Sequence, residues 1–596
     1  MEPDIRGTEI SASEMERDRP CASTEIRKFV GKKTKHMMYK RYFILLLLGY
    51  TTLGWSQEKW RNPLEFPLYL AGNFGELRAN HFHSGIDMKT QGVTGKAVHA
   101  VQEGYVSRVS VSPWGYGNAL YLSHPDGTTT VYGHLDHFIP KIADYIRQQQ
   151  YKLERFQVDL TLTPDQIPVK EGEIVAYSGN TGSSGGPHVH FEIRDTETEE
   201  VMDPLPYYKH LIKDNKPPKF AGILICPQPG SGIVNGKTGK TELKVTYDAK
   251  QRPVVNAKIT AWGKIGFAIK ANDYMNETSN VYGVRQIKLT EGKQTLFLSD
   301  LDRFAFSETR YLNSLIDYSY WSKHRSFYTK CFIDPGNRLR FLSAKNRGII
   351  DIEEEKTYTF TFTITDDFGN QSRMNLQVVG KKQAIPASKD QGTELFHWHC
   401  SNQFGAKGIR LFIPKGNLYT DLDFVYRVKE EAGRLADIHI LHNEPVPLHE
   451  KAKLSLRILR DTLEHKNQYG IVQWKGKRGA WIGSTYRNGW IDGNIRELGT
   501  YTVSADTVAP NIKPIQPEQW NRKRIIRFQL TDNLSGVDTY KGTIDGKFVL
   551  FQMNNRSVIS CQLNQEQIKR GDKHQLHLVV TDACGNRSEY NYSFAW

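Results

Sequence analysis

From Trp60 to about Tyr208 the chain alternates short apolar runs with polar, glycine-bearing breaks. Ala97-Val-His-Ala-Val101, Gly104-Tyr-Val-Ser-Arg-Val109, Ala119-Leu-Tyr-Leu122 and Thr129-Thr-Val-Tyr132 have strand length and β-branched or aromatic content. Between Phe138 and Gln157 the period changes. Ile139, Ile142, Ile146 and Leu153 fall near one face, with Lys, Arg and Gln elsewhere, which predicts an inserted helix over 138–157. Together these elements predict a first domain at 58–210.

Beyond it the pattern repeats. Asp214-Asn-Lys-Pro-Pro-Lys-Phe220 echoes Asp506-Thr-Val-Ala-Pro-Asn-Ile512, and Asn272-Asp273 echoes Thr531-Asp-Asn533. Thr365-Asp-Asp-Phe-Gly-Asn370 matches Thr581-Asp-Ala-Cys-Gly-Asn586. Each of the last pair follows an alternating run (Thr359–Ile364 and Leu576–Thr581), so each predicts a β-hairpin whose Gly and Asn tolerate positive φ. Two copies of one immunoglobulin-like β-sandwich are expected, at 214–381 with an insertion near 290–355 and at 506–596, with a further β-rich domain at 386–505.

The remaining apolar feature is Tyr42-Phe-Ile-Leu-Leu-Leu-Leu-Gly49, preceded by Lys40-Arg41 and followed by Gly54-Trp-Ser56. It is too short to span a bilayer comfortably and has the charged, apolar and small-residue order of a cleaved signal peptide, predicted at 37–57. Residues 1–36 then read as an extension upstream of the true start at Met37 or Met38. Export to the periplasm or the medium follows as an expectation.

Length and composition support this division. A chain of 596 residues exceeds one hydrophobic core, and 11% aromatics with 49 Gly and 25 Pro favour a mainly β protein. The formal charge of +14 suits anionic envelope polymers, and export argues against nucleic acid as partner. Six scattered cysteines with no CxxC pair exclude a disulfide scaffold, although Cys561 and Cys584 fall within one module.

The chemistry concentrates in the first domain, in His83-Ser-Gly-Ile-Asp87, Tyr132-Gly-His134 and His188-Val-His190-Phe-Glu192. On a strand His188 and His190 point to one face, so one can ligate a metal while the other acts on substrate. His83 and Asp87 converge across Gly85, taken here as the residue that lets the backbone pass close to the metal. Two His and one Asp leave a fourth position for water, the open form of a catalytic zinc site. His134 and the remaining histidine have the right chemistry to move a proton and steady an oxyanion. The glycines of Ser178–Pro187 suit close approach by an extended peptide. His81 reads as a possible supporting group, Arg78 as a solvated side chain, and His397-Trp-His399 as incidental.

In order along the chain, His83-x-Gly-x-Asp87, Gly115-Tyr-Gly-Asn118, Tyr132-Gly-His134-Leu135, Val169–Ile174, Gly179-Asn-Thr-Gly182 and Gly186-Pro-His-Val-His-Phe-Glu192 closely resemble the lysostaphin/LytM-type zinc endopeptidases. The resemblance covers about 65–205. It implies a duplicated-hybrid-motif β-sheet fold, Zn2+ held by His83, Asp87 and His190, catalytic roles for His134 and His188, and peptidoglycan peptides as substrate. The inserted helix departs from shorter members and is expected to shape or cap the groove. Two other functions stand beside this one. One is a non-catalytic activator of other wall hydrolases. The other is an adhesin or scaffold that meets envelope components through the C-terminal β domains.

Overall fold

The protein is described by a computed structural model covering residues 60–596 apart from 388–391, 477, 555–556 and 566–567. The expected signal at 37–57, the extension 1–36 and Cys21 lie outside the described residues. The chain is mainly β with a few short helices, and no helix among the described residues is long and apolar enough to cross a membrane.

The first domain is built on an antiparallel sheet in the order Leu70–Gly72, Ile86–Lys89, His188–Asp195, Thr128–Leu135, Asn118–Ser123, Gly104–Val111, Val158–Thr161. The alternation in His188–Asp195 explains its central place. Val189, Phe191 and Ile193 are fully buried in the core, while His188, His190, Glu192 and Arg194 share the opposite face.

The inserted helix runs Pro140–Lys152, shorter than the periodicity suggests. Pro140 starts it at a position where the missing N–H costs nothing. Ile142 and Ile146 are buried, but Leu153 lies past the helix end and is exposed; Gln150 takes the inner position and donates to the Phe156 carbonyl at 2.6 Å.

Residues 402–505 form two five-stranded sheets, and residues 511–595 two four-stranded sheets, each pair closing on its own core. Both predicted hairpins are present, with Thr365 opposite Gln371 and Thr581 opposite Arg587. The region near 290–355 is more than an insertion in its own module. Arg303–Phe304 pairs with Val201–Met202 and so extends the first domain's sheet. Phe304, Leu312, Leu315 and Ile316 are buried in that domain's core, where Phe304 packs 5.5 Å from Phe74 and from Phe82. Cys561 and Cys584 are both free, as are Cys226 and Cys331.

Candidate metal centre

Strand register sets the site. Asp87 lies directly opposite His190 on one side, and Gly133 opposite His190 on the other. Cross-strand partners share a face, so Asp87 and His190 meet without further instruction. His83 joins from the preceding turn. His83 Nε2, His190 Nδ1 and Asp87 Oδ1 are each 3.0 Å from the other two, all buried.

This triangle fits a metal. Donors held 2.0–2.1 Å from one tetrahedral ion stand about 3.3 Å apart, close to the spacing seen, and the two nitrogens and one carboxylate oxygen are donor types that zinc takes. The outward nitrogens are already engaged. His83 Nδ1 donates to the Asn73 carbonyl at 2.7 Å, and His190 Nε2 meets Glu192 Oε1 at 2.8 Å, so each ring turns its other nitrogen inward.

His134 and His188 border the triangle, with ring centroids 4.7 Å apart. His188 Nε2 is 3.4 Å from Asp87 Oδ1. Each donates its Nδ1 hydrogen to a backbone carbonyl at 2.8 Å, His134 to Thr181 and His188 to Gly186, which leaves both Nε2 atoms for the site. His134 reaches it through a bulge. The register slips between Asn118 and Leu120, and His134 takes a left-handed φ of 59° that re-aims its side chain.

Electrostatics separates the histidines. Burial pushes His83 down to about 4, against the raising influence of Asp87. Burial also lowers His134, to about 3, reinforced by His190 and His188. Burial opposes charge on His190 as well, but hydrogen bonds to Asp87 and Glu192 outweigh it and hold this residue up at about 9. Asp87 is buried, yet the surrounding histidines keep its carboxyl well below the usual range.

Sequence reasoning passed over the groups behind the ligands. Glu192 is fully buried and accepts from Ser84, from the Tyr116 hydroxyl at 2.5 Å and from Arg194 at 2.6 and 2.8 Å. Its position two residues after His190 on the same strand face was the available signal. Tyr116, from Gly115-Tyr-Gly-Asn118, also stacks on His190 at 5.1 Å. Asn73 has no local signature. Its side chain exchanges two 2.9 Å hydrogen bonds with the backbone of Gly283 and lies 3.4 Å from Asp367 Oδ2, both in the module that follows.

Several expectations need correction. Gly85 is required by the chain itself, since a Cβ there would stand 2.1 Å from the Phe191 carbonyl oxygen. In the loop 178–187, Gly179 and Gly182 press on neighbouring backbone, and only Gly185 and Gly186 face open space. Arg78 is no free surface group; its Nη2 pairs with Asp87 Oδ2 at 2.5 Å. His81 is exposed and bonds the Ala79 carbonyl. His397 and His399 meet Asp421 at the surface, remote in sequence from the triangle.

Comparison with known proteins agrees with this geometry. The model described as Peptidase family M23 matches residues 81–151, a span that holds His83, Asp87 and His134. Over 160 residues the chain is 28% identical to lysostaphin of Staphylococcus simulans, covering 26% of each protein.

This chain carries an M23 peptidase domain.

M23 peptidases are metallopeptidases. The M23 domain here is also 30% identical over 118 residues to the DD-carboxypeptidase/endopeptidase Mpg of Neisseria gonorrhoeae, covering 20% of this chain and 21% of that protein. It is 28% identical over 130 residues to the glycyl-glycine endopeptidase ALE-1 of Staphylococcus capitis, covering 21% and 29%. The matched segment thus spans about a quarter of these relatives. Downstream of the M23 domain, a Zu5-like domain model matches residues 393–506.

Proposed function

We propose that this chain is a zinc-dependent endopeptidase that hydrolyses peptide bonds in bacterial peptidoglycan, exported to the periplasm or the medium, for wall remodelling or lysis. The observation that carries the reading is the buried triangle of His83 Nε2, Asp87 Oδ1 and His190 Nδ1, 3.0 Å on each side, bordered by two histidines whose Nε2 atoms are free of backbone partners.

His83, Asp87 and His190 would hold the ion. When bound, zinc lowers the pKa of a coordinated water towards about 7 and polarises a carbonyl. The chain's own groups do the rest. His134, its Nδ1–H tied to the Thr181 carbonyl, presents an Nε2 lone pair that accepts a proton and returns it to a departing amine. His188, its Nδ1–H anchored on Gly186, offers Nε2 to the developing oxyanion when it carries the proton. Glu192, fully paired, keeps His190 in one orientation throughout.

The test incubates the purified protein with isolated peptidoglycan, once with zinc and once with a chelator, and resolves the released fragments. New amino termini that depend on zinc are expected. Their absence would sink the enzymatic reading, and an accompanying stimulation of a second wall hydrolase would put the activator in its place.

A further inference from the structure

The two repeated modules place three aspartates at matching landmarks, Asp214, Asp273 and Asp366 in the first and Asp506, Asp532 and Asp582 in the second. Within each trio one oxygen from each carboxylate lies within 4.8 Å of the others. Two oxygens each about 2.4 Å from a calcium ion stand at most about 4.8 Å apart, so each trio has the span of one hard-cation shell.

Burial and hydrogen bonding distinguish these trios from ordinary surface acids. Asp273 is fully buried, and neither of its carboxylate oxygens has a hydrogen-bond partner. Asp214 Oδ2 and Asp532 Oδ1 are likewise buried and unpartnered. The other oxygens are held by the chain. Asp366 accepts from the Phe368 and Asn370 amides at 2.9 and 2.8 Å and from the Asn370 side chain at 2.7 Å. Asp582 does the same with Cys584, Asn586 and the Asn586 side chain at 2.9, 2.8 and 2.7 Å. Each Asn then reaches the backbone carbonyl of the linker aspartate, Asn370 to Asp214 at 3.4 Å and Asn586 to Asp506 at 2.9 Å.

No Lys, Arg or His forms an ion pair with any of the six among the described residues. Three carboxylates packed together with no ion-paired countercharge favour uptake of a proton or a cation. A single proton would satisfy one oxygen, whereas the first copy leaves three buried oxygens unpartnered, both of Asp273 and Oδ2 of Asp214, and the second leaves Asp532 Oδ1. All donors are oxygens, with no His or Cys, which suits a hard divalent cation and not zinc.

We propose that each aspartate trio binds one Ca2+, tying the linker at Asp214 or Asp506 to the hairpin and inner strand of its module. The ions sit where one domain hands over to the next. Asp506 also receives the linker side: its amide donates to the Gln468 carbonyl, while Gln468 and Asn467 bond the Cys584–Asn586 turn.

The experiment uses the full zinc-loaded chain, stripped of other divalent ions on a chelating resin and reloaded with one equivalent of zinc, then titrated with CaCl2. Calorimetry counts the calcium bound, and thermal melting reads its effect. Two Ca2+ per chain are expected, with the melting midpoint rising by about 2–5 °C at millimolar calcium, the affinity range of extracellular sites. Asp273→Asn and Asp532→Asn should each remove one Ca2+, and the double variant both. Without calcium these variants should melt at or above the wild type, because each removes a charge from a repelling trio. No calcium uptake by the wild type, or variants that retain both ions, would overturn the proposal. An equal midpoint rise with MgCl2 would overturn the assignment to calcium.

Discussion

The modules at 214–381 and 506–596 share their landmark residues, but they bear on the M23 domain in different ways. The first is fused into it. Its Arg303–Phe304 strand extends the peptidase sheet, Phe304 and Leu312 complete the peptidase core, and Gly283 grips Asn73, whose carbonyl orients His83. The last module closes on a core of its own and meets the peptidase domain at the inserted helix, through Glu154–Lys541, Tyr151–Gln565 and the ring pair Tyr151–Phe548 at 5.5 Å. The repeated module is therefore a structural support of the candidate metal site in one copy and a docked neighbour in the other. The difference lies in the 290–355 segment, which the last copy does not have, and in the contacts of Asn280, Tyr282 and Gly283 with Leu70–Asn73.

The sharpest contrast to set as a reference is at the site itself. Asp87→Ala should abolish both zinc binding and hydrolysis, whereas His134→Ala should keep zinc and lower the rate about 10²–10⁴-fold. A fully active His134→Ala would remove the proton-transfer role. Next in size is a matched pair of core truncations. Phe304→Ala and Phe551→Ala should each cost about 3–5 kcal/mol in denaturant unfolding, but only Phe304→Ala should also weaken zinc binding. If Phe551→Ala weakened it equally, the distinction between fused and docked modules would fail.

Asn73→Ala cuts the first module's grip while leaving the carbonyl in place, and zinc affinity measured by chelator competition should fall about 10–100-fold. An unchanged affinity would show that the peptidase domain orients His83 unaided. Metal binding should also depend on pH in a defined direction. The ion needs the His190 Nδ1 lone pair, and in the metal-free chain Asp87 and Glu192 hold a proton on that ring up to about 9. Protons therefore compete below that value, so affinity should rise about tenfold per pH unit from about 6 and level off near 9. His83, pushed down to about 4, does not compete in this range. A flat profile would mean that His190 binds as a neutral ring. The smallest effect belongs to the docked module. Lys541→Ala removes a half-exposed ion pair worth about 0–1 kcal/mol and should leave activity unchanged.

Much of the site was legible from residue types alone. Alternation placed His188 and His190 on one face, and motif order brought in His83, Asp87 and His134 as expected partners, all of which the fold gathers around one point. The inserted helix was legible in kind but not in extent, because Leu153 continues the apolar period after the backbone has already turned. The helix also contacts the last module, through Tyr151 against Gln565 and Phe548. At Gly85 the sequence shows a small residue but not that the Phe191 backbone crowds it.

Local pattern determined the strands, the hairpins, the repeat of the two modules and the choice of metal-binding residue types, because these depend on side-chain period and intrinsic chemistry over a few residues. Tertiary structure alone decided which nitrogen of each histidine faces inward, that a bulge at Gly133-His134 aims His134 at the site, and that Asn73 and Phe304 tie the site to a module about 200 residues away. Those outcomes depend on register and on packing between distant segments, and no local period encodes either.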